Sequence, residues 1–97
     1  MNFSFHPEAE EEFNYAIDYY NNVEHGLGDD FAYEIYTSIR RVVEFPKAWT
    51  VLEDEIRRSL VKRFPYGVIY SEEQNGIFIL AVMNLHRDPD YWKDRVR

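Results

Sequence analysis

Between Ile56 and Tyr70 the chain reads IRRSLVKRFPYGVIY, and its cationic chemistry gathers there. Arg57, Arg58, Lys62 and Arg63 fall within a segment that alternates as a strand does. Phe64-Pro65-Tyr66-Gly67 then sets Pro second and Gly fourth, the chemistry of a type I turn. Val68-Ile69-Tyr70 resumes an extended pattern. Two strands joined at that turn would hold guanidinium and phenol groups on one rigid platform, suited to an anionic partner.

Charge along the chain points the same way. Met1 to Glu55 carries three Lys/Arg against thirteen Asp/Glu, and Ile56 to Arg97 eight against five, within a net charge of −7. Any anionic partner is expected on the second half. The acidic first half fits a plain solubilising surface. The chain has 97 residues and no cysteine, so one domain spanning 1–97, without disulfides or thiolate metal sites, is expected. The longest apolar run, Ile77 to Met83, is far short of the ~20 residues of a membrane helix. No signal segment, repeat or linker is read, and a cytoplasmic location with no membrane partner is expected.

The elements that must position this platform follow from periodicity. Phe3-Ser4-Phe5 reads as a short strand, with His6 or Ser4 capping a helix that has Pro7 in its first turn. Glu8, Glu10, Glu11 and Glu12 complement the helix dipole better than they build a metal site. Ala9, Phe13, Ala16, Ile17 and Tyr20 mark its buried face, and Gly26 its left-handed cap after Glu24. A second helix is expected from Asp29 or Asp30, burying Phe31, Ile35, Ser38, Ile39 and Val42 and ending before Pro46. Tyr15, Tyr19 and Tyr33 lie off these stripes. Lys47 to Glu55 reads as a loop from which Trp49 and Leu52 fold back on the core.

After the basic strand comes a strand from Gly67 to about Glu72, then Asn75-Gly76, a strong hairpin signal because both residues accept positive φ. Ile77 to about Leu85 is apolar almost throughout, as a strand covered on both faces would be. Asp88-Pro89 is expected to cap a short terminal helix carrying Tyr91, Trp92 and Arg95. The order strand, helix, helix, three strands, short helix predicts an α+β fold: a helix hairpin packed on an antiparallel sheet.

The run IRRSLVKRFPYGVIY, followed by FILAVMNLHRDPDYW and Arg95, resembles the toxins of the RelE/ParE superfamily. Phe5-His6-Pro7-Glu8-Ala9 and Asp30-Phe31 extend the likeness over nearly the whole chain. The wording is closer to the ParE-like, plasmid-stabilisation branch. The resemblance implies a toxin of a bacterial type II toxin–antitoxin pair, with a helical hairpin on an antiparallel sheet. It implies a cognate antitoxin that wraps the toxin and holds it inactive. RelE-like members cut messenger RNA on the ribosome, whereas ParE-like members inhibit DNA gyrase and are not nucleases.

Cleavage of RNA through its 2′-hydroxyl needs a base, an acid for the leaving oxygen and cations around the phosphate. The RelE resemblance implies Arg63 as phosphate ligand and His86, Arg87 and Tyr91 beside the cleft. His86 is the natural acid/base, its ordinary pKa lying near neutrality. It equally fits a structural residue bonded to a carbonyl. The chain lacks a lysine cluster, and its net charge of −7 opposes a ribosome binder, so direct nucleic-acid binding is expected only if it is a ribonuclease.

The ParE-like reading instead makes Arg57, Arg58, Lys62, Tyr66, Trp92 and Arg95 a surface for target or antitoxin. It lies in a hydrophobic and basic groove around the later strands and terminal helix. One of Arg57 and Arg58 is expected to pair with first-helix carboxylates. A protein that has lost toxicity and binds only its antitoxin is a third reading. None of these readings calls for a metal or cofactor.

Overall fold

The computed structural model describes residues 2–97. Its elements in chain order are β1 (Asn2–Phe5), α1 (Pro7–Val23), α2 (Leu27–Glu44), β2 (Thr50–Glu53), β3 (Ile56–Leu60), β4 (Tyr66–Glu73) and β5 (Gly76–Asn84). A 3₁₀ turn at Lys93–Arg95 follows. The α+β layout stands, with one helix pair covering one face of a five-stranded sheet.

His6 caps α1: its Nδ1 accepts the backbone N–H of Glu8 at 3.1 Å, with Pro7 opening the helix. Ala9, Phe13 and Ala16 are buried, and so is the whole expected stripe of α2. Gly26 takes φ 86 between the helices, and α2 begins at Leu27, two residues before the earliest expected start. These faces meet Val68, Tyr70, Ile77, Ile79 and Val82 on the sheet. Ser38 and Ser59, buried in this layer, satisfy each other at 2.9 Å.

The sheet departs from expectation in three ways. Its strand order is β1-β5-β4-β3-β2, and β1 joins β5 in parallel, so the sheet is mixed. Residues 50–53, expected as loop, form β2, which pairs with β3. The turn at Pro65 is tighter than type I: Tyr66 N–H donates to the Phe64 carbonyl at 2.7 Å, and Tyr66 and Gly67 are already strand.

The β4–β5 hairpin also closes one residue earlier than expected. Glu73 faces Gly76 across Gln74-Asn75, and only Gly76 carries positive φ, at 137. A Cβ there would run into the Asn2 carbonyl, so glycine lets β1 approach β5.

The opposite face of the sheet has its own cluster: Ile56, Ile69, Phe78, Leu80, Ala81, Met83 and Trp92. Tyr91, Trp92 and Arg97 of the C-terminal segment pack against it. The expected terminal helix is instead a series of turns ending in the 3₁₀ segment, with Asp88 Oδ1 accepting from Asp90 N–H at 3.0 Å. Trp92, 1% exposed, anchors the segment and donates Nε1–H to the Pro89 carbonyl at 2.6 Å.

Candidate functional site

A bulge in β5 organises the region where the sequence places its functional groups. Ile69 faces Ala81 and Tyr70 faces Ile79, which leaves Leu80 without a register partner. β1 has ended by then, its last contact being His6 N–H to the Ile79 carbonyl at 2.8 Å. Backbone polar groups beyond that point need other partners. Glu12 and Arg95 supply them. Glu12 Oε1 accepts Val82 N–H at 3.1 Å, and Arg95 Nη1 donates to the Leu80 carbonyl at 3.0 Å.

The same two side chains bind each other, and Arg87 joins them with Nη1 3.4 Å from Glu12 Oε2. Glu8 flanks Arg95 Nε at 3.6 Å. Both guanidinium groups lie over the Tyr91 ring, Arg87 at 3.7 Å and Arg95 at 4.9 Å. Burial, reinforced by the Glu12 carboxylate, holds the Tyr91 phenol well above its ordinary pKa. Its hydroxyl is buried and closes no hydrogen bond of good geometry.

The four nuclease candidates have different bonding partners. Arg87 and Tyr91 are stacked together and braced by α1. Arg63 pairs with Asp30 of α2 at 3.5 Å, with its guanidinium 5.5 Å from the Phe64 ring centre. His86 is exposed, and the bond that anchors it comes from its backbone N–H to Asn84 Oδ1 at 2.9 Å.

The binding candidates differ in burial and partners. Arg57 donates to the carbonyls of Lys47 and Trp49 at 3.1 and 2.8 Å, fixing the α2–β2 loop. Neither Arg57 nor Arg58 pairs with α1; those carboxylates take Arg87 and Arg95 instead. Trp92 and Arg95, expected on the partner surface, are 1% and 9% exposed and hold the C-terminal segment down. Burial raises the pKa of Tyr66, which is half-buried at the start of β4. Lys62 is exposed, and Arg58 is half-buried on the sheet face away from the helices.

Two grooves share Asp54, Glu55 and Glu72: one of ≈ 350 Å³ also lined by Glu53, Glu73, Lys93 and Arg97 among others, and another of ≈ 280 Å³ also lined by Lys47 and Arg57. Among the described residues no group of three or more His, Asp or Glu is placed to hold a metal ion. No helix among them is long and apolar enough to cross a membrane.

Sequence reasoning missed Glu12 as the hub, having read it as one of four dipole-complementing acids. A signal existed: Ala9, Glu12, Phe13 and Ala16 repeat at three and four, so Glu12 alone among the four sits on the inward side.

A solved structure described as the chromosomal ParDE TA system from P. aeruginosa matches this chain with a TM-score of 0.76. The match covers 89% of this chain and 97% of that one, at 14% sequence identity. The chain shares the fold of that structure. No family model matches it, and no curated protein does. The fold agrees with the resemblance read from FPYGVIY and HRDPDYW, although residue identity with the matched structure is slight.

Proposed function

We propose that this chain is the toxin-type member of a toxin–antitoxin pair, neutralised by a cognate antitoxin and acting by binding a large protein target such as DNA gyrase. Two lines support the reading: the ParDE-like fold, and the way the site's cations are used. Arg87 and Arg95 pair with Glu12, and Arg63 with Asp30. A phosphodiester-cleaving site keeps its cations for the developing charge. Here carboxylates already hold them, which is the single observation that turns the reading toward binding.

The test is induction of the chain alone in a bacterial host, with a gyrase supercoiling assay on the purified protein. Growth arrest together with lost supercoiling is expected. Unchanged gyrase activity at excess protein removes gyrase as the target. Normal growth with soluble protein removes the toxin reading and leaves a module that only binds an antitoxin.

The ribosome-dependent nuclease is the second reading, favoured by one feature: exposed His86 directly precedes Arg87. Primer extension on messages after induction would reveal cuts that disappear in a His86→Ala/Arg87→Ala variant.

A further inference from the structure

Arg58 differs from the other cations of the second half. Arg63, Arg87, Lys93, Arg95 and Arg97 form ion pairs, and Arg57 is bound by two carbonyls. Arg58 and Lys62 form none among the described residues. Arg58 is nevertheless not a loose surface side chain. It faces Ile69 across β3 and β4, on the side of the sheet away from the helices. Its stem lies over Gly67: a Cβ on that glycine would sit 3.3 Å from Arg58 Cγ and 3.6 Å from Leu60 Cδ2. Its Nε is buried and has no hydrogen-bond partner.

A clamped stem with an unsatisfied N–H is a costly arrangement in a protein alone. It becomes favourable when an acceptor arrives from outside, because a carboxylate can meet a guanidinium through two parallel bonds. Around Arg58 the surface is aliphatic. Leu60, which shares the space over Gly67 with the Arg58 stem, is 54% exposed.

We propose that Arg58 and Leu60, with Lys62 at the margin, form a docking surface for an aliphatic segment of a partner protein whose Asp or Glu side chain is received by Arg58. The proposal rests on the protein-binding reading above in that a protein partner exists. Charge complementarity selects the occupant: this patch holds the unpaired cations of the second half in a chain of net charge −7. A nucleic-acid strand fits less well. Phosphate backbones are held by many cations at once and by aromatic faces, and Arg87 already covers the Tyr91 ring.

The experiment uses the full chain, ¹⁵N-labelled, and follows the Arg58 Nε–Hε resonance during titration. The probes are a capped peptide of alternating Leu and Glu, its Leu/Gln counterpart, and poly(U) RNA. The Glu peptide is expected to shift the Arg58 resonance and bind about tenfold tighter than the Gln peptide. Arg58→Gln should abolish that preference and Arg58→Lys should restore only part of it, because lysine lacks the fork.

Equal binding of both peptides, or no binding, overturns the proposal. So does poly(U) moving Arg58 while the Glu peptide does not, or self-association that Arg58→Gln abolishes. Growth arrest on induction tests the toxin reading separately, and loss of that reading with peptide discrimination intact leaves this surface standing.

Discussion

The Arg95 guanidinium meets the Glu12 carboxylate side by side, Nη1 to Oε1 and Nη2 to Oε2, both at 3.0 Å and across 83 residues of sequence. The pair closes the C-terminal segment onto the first helix and caps the β5 bulge at once. Arg95 is 7% exposed in its side chain and Glu12 15%, so removing one partner strands the other in a poorly solvated place. Glu12→Ala should destabilise the fold by about 3–5 kcal/mol, since the Val82 N–H also loses its acceptor. Urea denaturation measures this. Glu12→Ala/Arg95→Met should recover part of the loss, because the buried charge is then gone. A double variant no better than the single one would show that the pair acts only through the bulge.

Much of the scaffold was legible because burial leaves a period. The stripes of α1 and α2 and the continuous apolar run of β5 each state which faces are covered. β2 was not legible. Thr50–Glu53 is four residues long, lies at the sheet edge and owes its form to pairing with β3 rather than to its own pattern. Glu12 escaped for a related reason. Its role depends on a bulge in β5 and a guanidinium from the last turn; the helical period around residue 12 shows that Glu12 faces inward but not what meets it there. The partners of Arg57 and Arg63 were not legible either: spacing shows that arginines are near one another, not which carboxylate or carbonyl holds each.

Two glycines in strained backbone should differ in what substitution costs. Gly26, at φ 86, has open space where a Cβ would stand, so Gly26→Ala meets only backbone strain, about 1 kcal/mol. Gly76, at φ 137, adds a collision with the Asn2 carbonyl. Gly76→Ala should cost about 2–3 kcal/mol or more and detach β1. Hydrogen exchange at the β1 amides reports it: protection there should collapse in the Gly76 variant and persist in the Gly26 variant.

Tyr70 ties the sheet to the end of α2. Its hydroxyl donates to the Pro46 carbonyl at 2.7 Å, and burial pushes its pKa to about 12, with Arg57 opposing and Glu72 adding to the rise. The neutral phenol is favoured in the folded state. Its contribution is complete below the unfolded value of about 10 and is lost as pH rises through 12. Urea midpoints should therefore fall more steeply between pH 10 and 12 in the wild type than in Tyr70→Phe. At pH 7 that variant should lose about 1 kcal/mol, the net value of the hydrogen bond.

Arg87 separates the two functional readings most cleanly. It is 52% exposed, reaches Glu12 at 3.4 Å and lies over Tyr91, so its share of stability is small. Arg87→Ala should cost about 1 kcal/mol or less, given how weakly half-exposed ion pairs and cation–π contacts contribute. With the fold preserved, activity can be read without confusion from unfolding. Under the binding reading, His86→Ala/Arg87→Ala still arrests growth, at an inducer level within about threefold of the wild type. General acid–base chemistry is worth about 10²–10⁴ in rate, so a nuclease relying on these side chains would lose toxicity altogether. Arrest by the double variant at wild-type inducer levels, with messages uncut in both, would place the toxicity of this fold in a surface rather than in a catalytic pair.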